Sequence, residues 1–97
     1  MSCYFIIEVY INNNSNTSLY DEYIEEVKPI VESYGGKYII RSNNIFSLHP
    51  MLNPSRVIII EFPSKENIDK CFSSKEYSEI SYKRKTSVDA RAMIIDK

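Results

Sequence analysis

The chain has 97 residues, 43% of them hydrophobic and 26% charged, which is the composition of one small globular domain over residues 1–97. Twelve Lys and Arg residues balance thirteen Asp and Glu residues, so the net charge of -1 excludes the strongly basic surface that drives non-specific nucleic-acid binding. The longest apolar run, 57–60, is far shorter than the ~20 residues that span a bilayer. We therefore expect neither a nucleic-acid partner nor a membrane segment.

The residues that usually hold metals or cofactors are scarce. Cys3 and Cys71 lie too far apart for a CxxC motif, and two thiols are too few for a disulfide scaffold, which favours a reducing, cytoplasmic location. His49 is the single histidine, so one chain cannot form a metal site from several histidines. The two glycines are adjacent, which excludes a P-loop and a dinucleotide-binding fingerprint. We expect no metal and no cofactor, and the sequence assigns no catalytic residue.

The first half of the chain predicts a strand, a helix and a second strand. Residues 3–11 alternate as a strand does, with one face apolar and the other carrying Tyr4, Glu8 and Tyr10. Residues 18–34 have apolar side chains at helical spacing, with a capping-box start at Ser18 and a stop at 35–36. Pro29 lies inside this pattern and predicts a kink or an early end, because proline cannot donate the helical hydrogen bond. A strand at 37–41 follows, with a short extension at 45–48.

The second half predicts a strand, two short helices and a last strand. Residues 49–55 form a loop, and 56–62 is a strand with three consecutive isoleucines, typical of a pleated surface buried on both sides. Ser64 and Ser73 are placed to cap two short helices. The final strand covers 90–95.

This order of elements predicts a ferredoxin-like α+β domain. Two split strand-helix-strand units with right-handed crossovers give a four-stranded antiparallel sheet with its helices on one face. The helix-free face then carries Tyr4, Ile6, Val57 and Ile59, which is too apolar a patch to remain in water. A second copy related by a two-fold axis would cover it, so we expect a homodimer.

Several segments together resemble a bacterial family, the domain of unknown function 1330. The resemblance extends over almost the whole chain. The residues that match the pattern of this family are 4–9, 34–38 with Arg41, Pro54 with Arg56, 60–64, Ser74 with 76–77, Arg84 and Arg91. The resemblance implies a dimeric α+β barrel, and it implies no particular chemistry.

Charged side chains on the predicted helix-free face form the first candidate site. Strand alternation places Glu8 and Glu61 on this face beside Tyr4 and Tyr10. We expect Arg41 and Arg91 to join them from the neighbouring strands. The cluster is either an ion-pair network that fixes the dimer or a pocket for a small polar molecule, in which a carboxylate with a raised pKa serves as acid or base.

Arg84 is a further candidate pocket residue. The run 83–85 is basic, and basic residues at a helix C-terminus ordinarily complement the helix dipole and face solvent. Arg84 differs from its neighbours because it follows Tyr77 and Ile80 on the inward stripe of the last helix.

Three functions are compatible with these residues, and the sequence does not decide whether the protein is an enzyme. The first is a dimer that binds a small polar molecule in a pocket on the sheet side. The second is a cofactor-independent enzyme of the small monooxygenase or isomerase type. The third is a structural or partner-binding module without a ligand.

Overall fold

The computed structural model describes residues 2–97. Within this range it has four strands and three helices. In chain order they are β1 Cys3–Tyr10, α1 Thr17–Ser33, β2 Lys37–Ser42, β3 Arg56–Phe62, α2 Lys65–Phe72, α3 Lys75–Lys85 and β4 Asp89–Asp96. The strands form one antiparallel sheet in the order β2-β3-β1-β4, which confirms the predicted ferredoxin-like α+β fold.

The helices cover one face of the sheet because alternate residues of the central strands are apolar. On β3 the side chains of Ile58, Ile60 and Phe62 are buried beneath the helices, while the intervening residues are only partly buried. The helical side of this core is formed by inward residues of all three helices. The buried ones are Tyr20, Tyr23, Val27, Val31, Ile68, Cys71, Tyr77 and Ile80.

The helix caps differ from the predicted ones by one or two residues. Helix α1 is capped by Asn16, whose side-chain oxygen accepts from the Leu19 backbone N–H at 3.0 Å, and not by Ser18. Helix α3 is capped by Ser74 and not by Ser73. Each true cap has an extended backbone and reaches a backbone N–H three residues on, which is what capping requires.

Two predicted features of the first half of the chain are absent: the early end of α1 at Pro29 and the strand extension at 45–48. Helix α1 continues through Pro29 to Ser33, so the proline does not end it. The packing of Val27 and Val31 against the core outweighs the lost hydrogen bond. Residues 45–48 are not a strand extension, because β2 stops at Ser42 and a loop leads to β3.

The turn from α1 into β2 uses both glycines of the chain. Gly35 has a φ of +86°, in the left-handed region that favours glycine. Gly36 is buried, and a Cβ built on it would lie only 2.4 Å from Val31 Cγ1 and 2.9 Å from the Val31 carbonyl oxygen. The close approach of this turn to the helix end fixes where β2 enters the sheet.

Candidate functional site

The helix-free face of the sheet carries most of the predicted site residues. Its members are Tyr4, Ile6, Glu8 and Tyr10 on β1, Val57, Ile59 and Glu61 on β3, and Arg91, Met93 and Ile95 on β4. The register pairs Tyr4 with Glu61 on one side of the face, and Glu8 with Arg91 on the other. The middle of the face is apolar.

The two carboxylates share this face but do not meet. Glu61 lies opposite Tyr4, whereas Glu8 lies opposite Val57, four residues further along β1. Four residues of a strand span roughly 13 Å. The expected single cluster of carboxylates and guanidiniums is therefore wrong, because strand alternation fixes the face of a side chain but not its position along the strand.

Glu8, Tyr10 and Arg91 form a polar group at one end of the face. The Tyr10 hydroxyl donates to Glu8 Oε1 at 2.7 Å, and this bond raises the pKa of Tyr10. The Arg91 guanidinium lies 4.6 Å from the centre of the Tyr10 ring and is bonded to Asp89 Oδ2 at 2.9 Å. The Arg91 and Asp89 side chains are 66% and 50% exposed, so their ion pair contributes little to stability.

Glu61 lies at the other end and stays ionised. It accepts from the Tyr4 hydroxyl at 3.2 Å and lies opposite Lys37 on β2. A hydrogen bond from Ser2, which outweighs partial desolvation, lowers the pKa of Glu61, and the Tyr4 bond and the Lys37 charge act in the same direction. A carboxylate with a lowered pKa is a poor general acid or base at neutral pH, which is the opposite of what the pocket alternative required of it.

Arg41 lies on the other face of the sheet, so its predicted position is wrong. A bulge between Tyr38 and Ile40 adds one residue to β2, and the pairing changes from Tyr38 with Ile60 to Ile40 with Ile59. Residues beyond a bulge exchange faces. Arg41 therefore lies opposite Ile58, on the face that the helices cover.

A cavity of about 610 Å³ lies between the helices and the sheet. The predicted pocket was on the helix-free face, and this cavity is on the opposite one. Apolar side chains from every layer line it. Among them are Ile7, Val9, Val27, Val31, Ile58, Ile60, Ile68 and Phe72. The volume falls within the range of small-molecule sites, roughly 300–1,000 Å³.

Two tyrosines and one arginine form a connected polar group in the cavity wall. The hydroxyls of Tyr23 and Tyr77 are 3.0 Å apart, and Arg84 Nε donates to the Tyr77 hydroxyl at 3.2 Å. Burial, followed by the neighbouring Tyr77 hydroxyl, raises the pKa of Tyr23, so its phenol remains protonated. The tyrosine hydroxyls outweigh the desolvation of Arg84 and raise the pKa of its guanidinium. The group therefore presents the protonated Tyr23 phenol and the Tyr77 hydroxyl beside a permanent positive charge.

Strand β4 forms an open side of the cavity. Its residues that face the helices are Ala90, Ala92 and Ile94, and Ala92 and Ile94 are exposed although they lie on the covered face. Alanine side chains leave space where a larger residue would fill the gap under α3. Small residues on this edge strand thus give the cavity its mouth.

The sequence pattern places Arg84 and Tyr77 on the inward stripe of α3, but it did not mark the phenols of α1 and β2 as site residues. Tyr20 and Tyr23 lie on the apolar stripe of α1, and both line the cavity, as does Tyr38 on β2. The Tyr20 hydroxyl is buried without a hydrogen-bonding partner among residues 2–97. The sequence feature that indicates these residues is the presence of several tyrosines in an apolar helix stripe, because each buried phenol needs a polar partner or a ligand.

The described part of the chain offers no evident metal site. Within residues 2–97 no group of three or more His, Cys, Asp or Glu side chains lies close enough to hold an ion. His49 lies in the loop between β2 and β3, where its Nδ1 accepts from the Met51 backbone N–H at 3.0 Å. None of the helices in that range is long and apolar enough to cross a bilayer.

Comparison with solved structures shows the same fold in several proteins. RPA0582, a protein of unknown function from Rhodopseudomonas palustris, is similar at a TM-score of 0.86 and 19% identity, over 99% of this chain and 82% of that one. A dimeric ferredoxin-like protein of unknown function from Jannaschia sp. CCS1 has a TM-score of 0.80 and 8% identity, over 100% of both chains. SnoaB, a cofactor-independent oxygenase from Streptomyces nogalater, has a TM-score of 0.70 and 5% identity, over 99% of this chain and 92% of that one.

At these identities the similarity establishes the fold and nothing finer. No protein with a curated description matches this sequence. The model of the family described as Domain of unknown function (DUF1330) matches residues 2–97, in agreement with the resemblance seen in the sequence. This chain therefore belongs to the DUF1330 family.

Proposed function

We propose that this protein binds a small, largely apolar organic molecule in the cavity between its helices and its sheet. The observation that carries the proposal is the combination of an apolar cavity of about 610 Å³ with one connected polar group, Tyr23, Tyr77 and Arg84, in its wall. A site of this kind gains affinity from apolar contact and orientation from a few placed polar atoms. The proposed site is therefore on the face of the sheet that the helices cover, whereas the sequence favoured a pocket on the helix-free face.

An uncharged fluorescent probe, N-phenyl-1-naphthylamine, tests the proposal. We expect its emission to rise on binding to the protein and to be lost in Ala92→Trp, because the indole would fill the mouth of the cavity. Met93→Trp is the matched control, since the adjacent residue of β4 points to the opposite face.

Two results would contradict the proposal. If the Met93→Trp variant no longer bound the probe while the Ala92→Trp variant still did, the binding site would lie on the helix-free face. Absence of binding to the unmodified protein would favour a module without a ligand.

A homodimer through the helix-free face is the second part of the proposal. In a single chain this face exposes Ile40 by 45%, Met93 by 52% and Ile95 by 46%, around the half-buried Ile6 and Ile59. The solved Jannaschia protein with this fold is dimeric, which supports a dimer here, and the exposed apolar residues support this face as its interface.

Ile59→Asp tests this interface, because a buried unpaired carboxylate costs several kcal/mol. We expect sedimentation at micromolar concentration to show a monomer. Tyr82→Asp on the outer surface of α3, where the tyrosine is 54% exposed, should leave the dimer intact. An unchanged dimer in Ile59→Asp would reject the interface.

Cofactor-independent oxygenation is a second candidate function, favoured by the fold shared with SnoaB. Arg84 would stabilise an organic anion of the kind that such a reaction requires. Oxygen uptake with a polyphenol substrate, lost in Arg84→Gln, would support this function, and a protein that binds apolar probes without consuming oxygen would support binding alone.

A further inference from the structure

Arg84 has no acidic partner among the residues that the structure describes. Its guanidinium is half-buried, and within residues 2–97 no carboxylate lies at ion-pair distance from it. Among these residues, its side-chain hydrogen bond goes from Nε to the Tyr77 hydroxyl. Buried or partly buried charges in proteins are ordinarily paired, so a guanidinium with this environment lacks a counter-charge.

The other charges near the cavity do not supply that counter-charge. Asp69 lies in the cavity wall, but its carboxylate is bonded to Lys65 Nζ at 2.9 Å. Lys85, also in the wall, adds a second positive charge. Among the described wall residues, the charges without an ion-pair partner are therefore both positive, and the rest of the lining is mainly apolar.

From this we infer that the ligand carries a single carboxylate, held by the Arg84 guanidinium with a tyrosine hydroxyl beside it, on an apolar aromatic or aliphatic body. The inference rests on the proposed function and names its ligand class. The planar guanidinium fork matches the two oxygens of a carboxylate, and hydrogen bonds between these ionised groups are stronger than neutral ones.

The polar group suits a singly charged acid better than a phosphate. Of the two cations in the wall, Lys85 is exposed to solvent and Arg84 is partly buried, so Arg84 is the poorly screened one. It balances one negative charge, whereas a phosphate ester carries about -1.5 to -2 at pH 7. The phenol of Tyr23 stays protonated and can complete the hydrogen bonding of a carboxylate oxygen through the Tyr23–Tyr77 pair. Apolar side chains line the remaining space, so the rest of the ligand must be apolar.

Competition between two probes that share a naphthyl body and differ in charge tests the inference. Both 2-naphthoate and the uncharged 2-naphthylmethanol are titrated against bound N-phenyl-1-naphthylamine. We expect the unmodified protein to prefer the carboxylate by about tenfold or more, which is the usual advantage of a charge-assisted hydrogen bond. The preference should weaken as salt is raised, while binding of the alcohol should not change.

Substitution of Arg84 then assigns the preference to its guanidinium. Arg84→Gln should remove the preference, and Arg84→Lys should retain part of it. The affinity of each variant for N-phenyl-1-naphthylamine is measured first, so that the two competition constants are compared on the same scale. Arg91→Gln is the matched control, because that arginine is 66% exposed on the helix-free face. It should behave as the unmodified protein does.

The outcomes separate the two proposals. If the neutral probe binds but both naphthyl compounds compete equally, the carboxylate inference is wrong and the proposed function stands. If an unmodified protein prefers naphthoate but Arg84→Gln and Arg84→Lys both keep the full preference, another cation holds the acid and the inference is again wrong. If none of the three compounds binds, the proposed function itself fails.

Discussion

The polar group in the cavity predicts that two chemically identical substitutions have different costs. Tyr77→Phe removes the hydroxyl that joins Tyr23 to Arg84, whereas Tyr23→Phe removes a hydroxyl at the end of the same chain of hydrogen bonds. Both rings are buried, at 6% and 8% exposure, and both phenylalanines keep the ring packing.

The magnitude follows from which groups lose a partner. In Tyr77→Phe the buried Tyr23 hydroxyl and the Arg84 Nε both lose their bond, and a buried polar group without a partner costs about 1–3 kcal/mol. The half-buried Arg84 contributes less to this cost because it can still reach water. In Tyr23→Phe the Tyr77 hydroxyl still accepts the hydrogen bond from Arg84. Only an ordinary hydrogen bond is then lost, and its contribution to stability is about 0.5–1.5 kcal/mol.

Urea unfolding followed by circular dichroism measures both costs, and the double substitution measures their coupling. We expect Tyr77→Phe to be the more destabilising, and the two effects to be non-additive because the residues are in contact. Tyr82→Phe is the control, since that tyrosine is exposed, and should change stability by less than about 0.5 kcal/mol. Equal losses of unfolding free energy in Tyr23→Phe and Tyr77→Phe would show that the Tyr77 hydroxyl does not link Tyr23 to Arg84.

Three further measurements test other features of the fold. Gly36→Ala should lower the free energy of unfolding by about 1–3 kcal/mol, because the new Cβ would lie 2.9 Å from a backbone oxygen that cannot move aside; an unchanged urea midpoint would contradict this. Pro29→Ala should raise that free energy by about 1–3 kcal/mol by restoring a helical hydrogen bond, and a loss of stability would show that the proline is needed for packing. Above pH 10 stability should fall, since burial raises the pKa of Tyr38 to about 12 and the unfolded chain then releases protons that the folded chain retains. Each such tyrosine contributes up to about 1.4 kcal/mol per pH unit, until the pH reaches its folded pKa, and a flat profile between pH 10 and 12 would contradict the burial of these phenols.

The fold was predictable because its signals are local. Alternation along 3–10 and 56–62 defines the two faces of the central strands, and the apolar stripe of α1 defines which face the helices cover. Those patterns depend only on neighbouring residues, so they can be recognised without knowing how the strands pair.

The candidate site was harder to predict because it depends on relations between distant segments. The position of Arg41 is set by a bulge that becomes visible only when β2 is paired with β3. The separation of Glu8 from Glu61 is a matter of register. The cavity exists because Ala90 and Ala92 face a tyrosine-rich helix layer, and neither segment alone indicates an unfilled volume.

The mouth along β4 has a consequence for the rate at which a ligand enters and leaves. Ala92 and Ile94 of this edge strand line the cavity and are exposed, so access lies beside them. Exchange therefore requires no separation of helices, so association should not wait for the slower collective motions that limit proteins with closed sites. The residence time of a ligand would then be set by its contacts in the cavity and not by the opening of a lid.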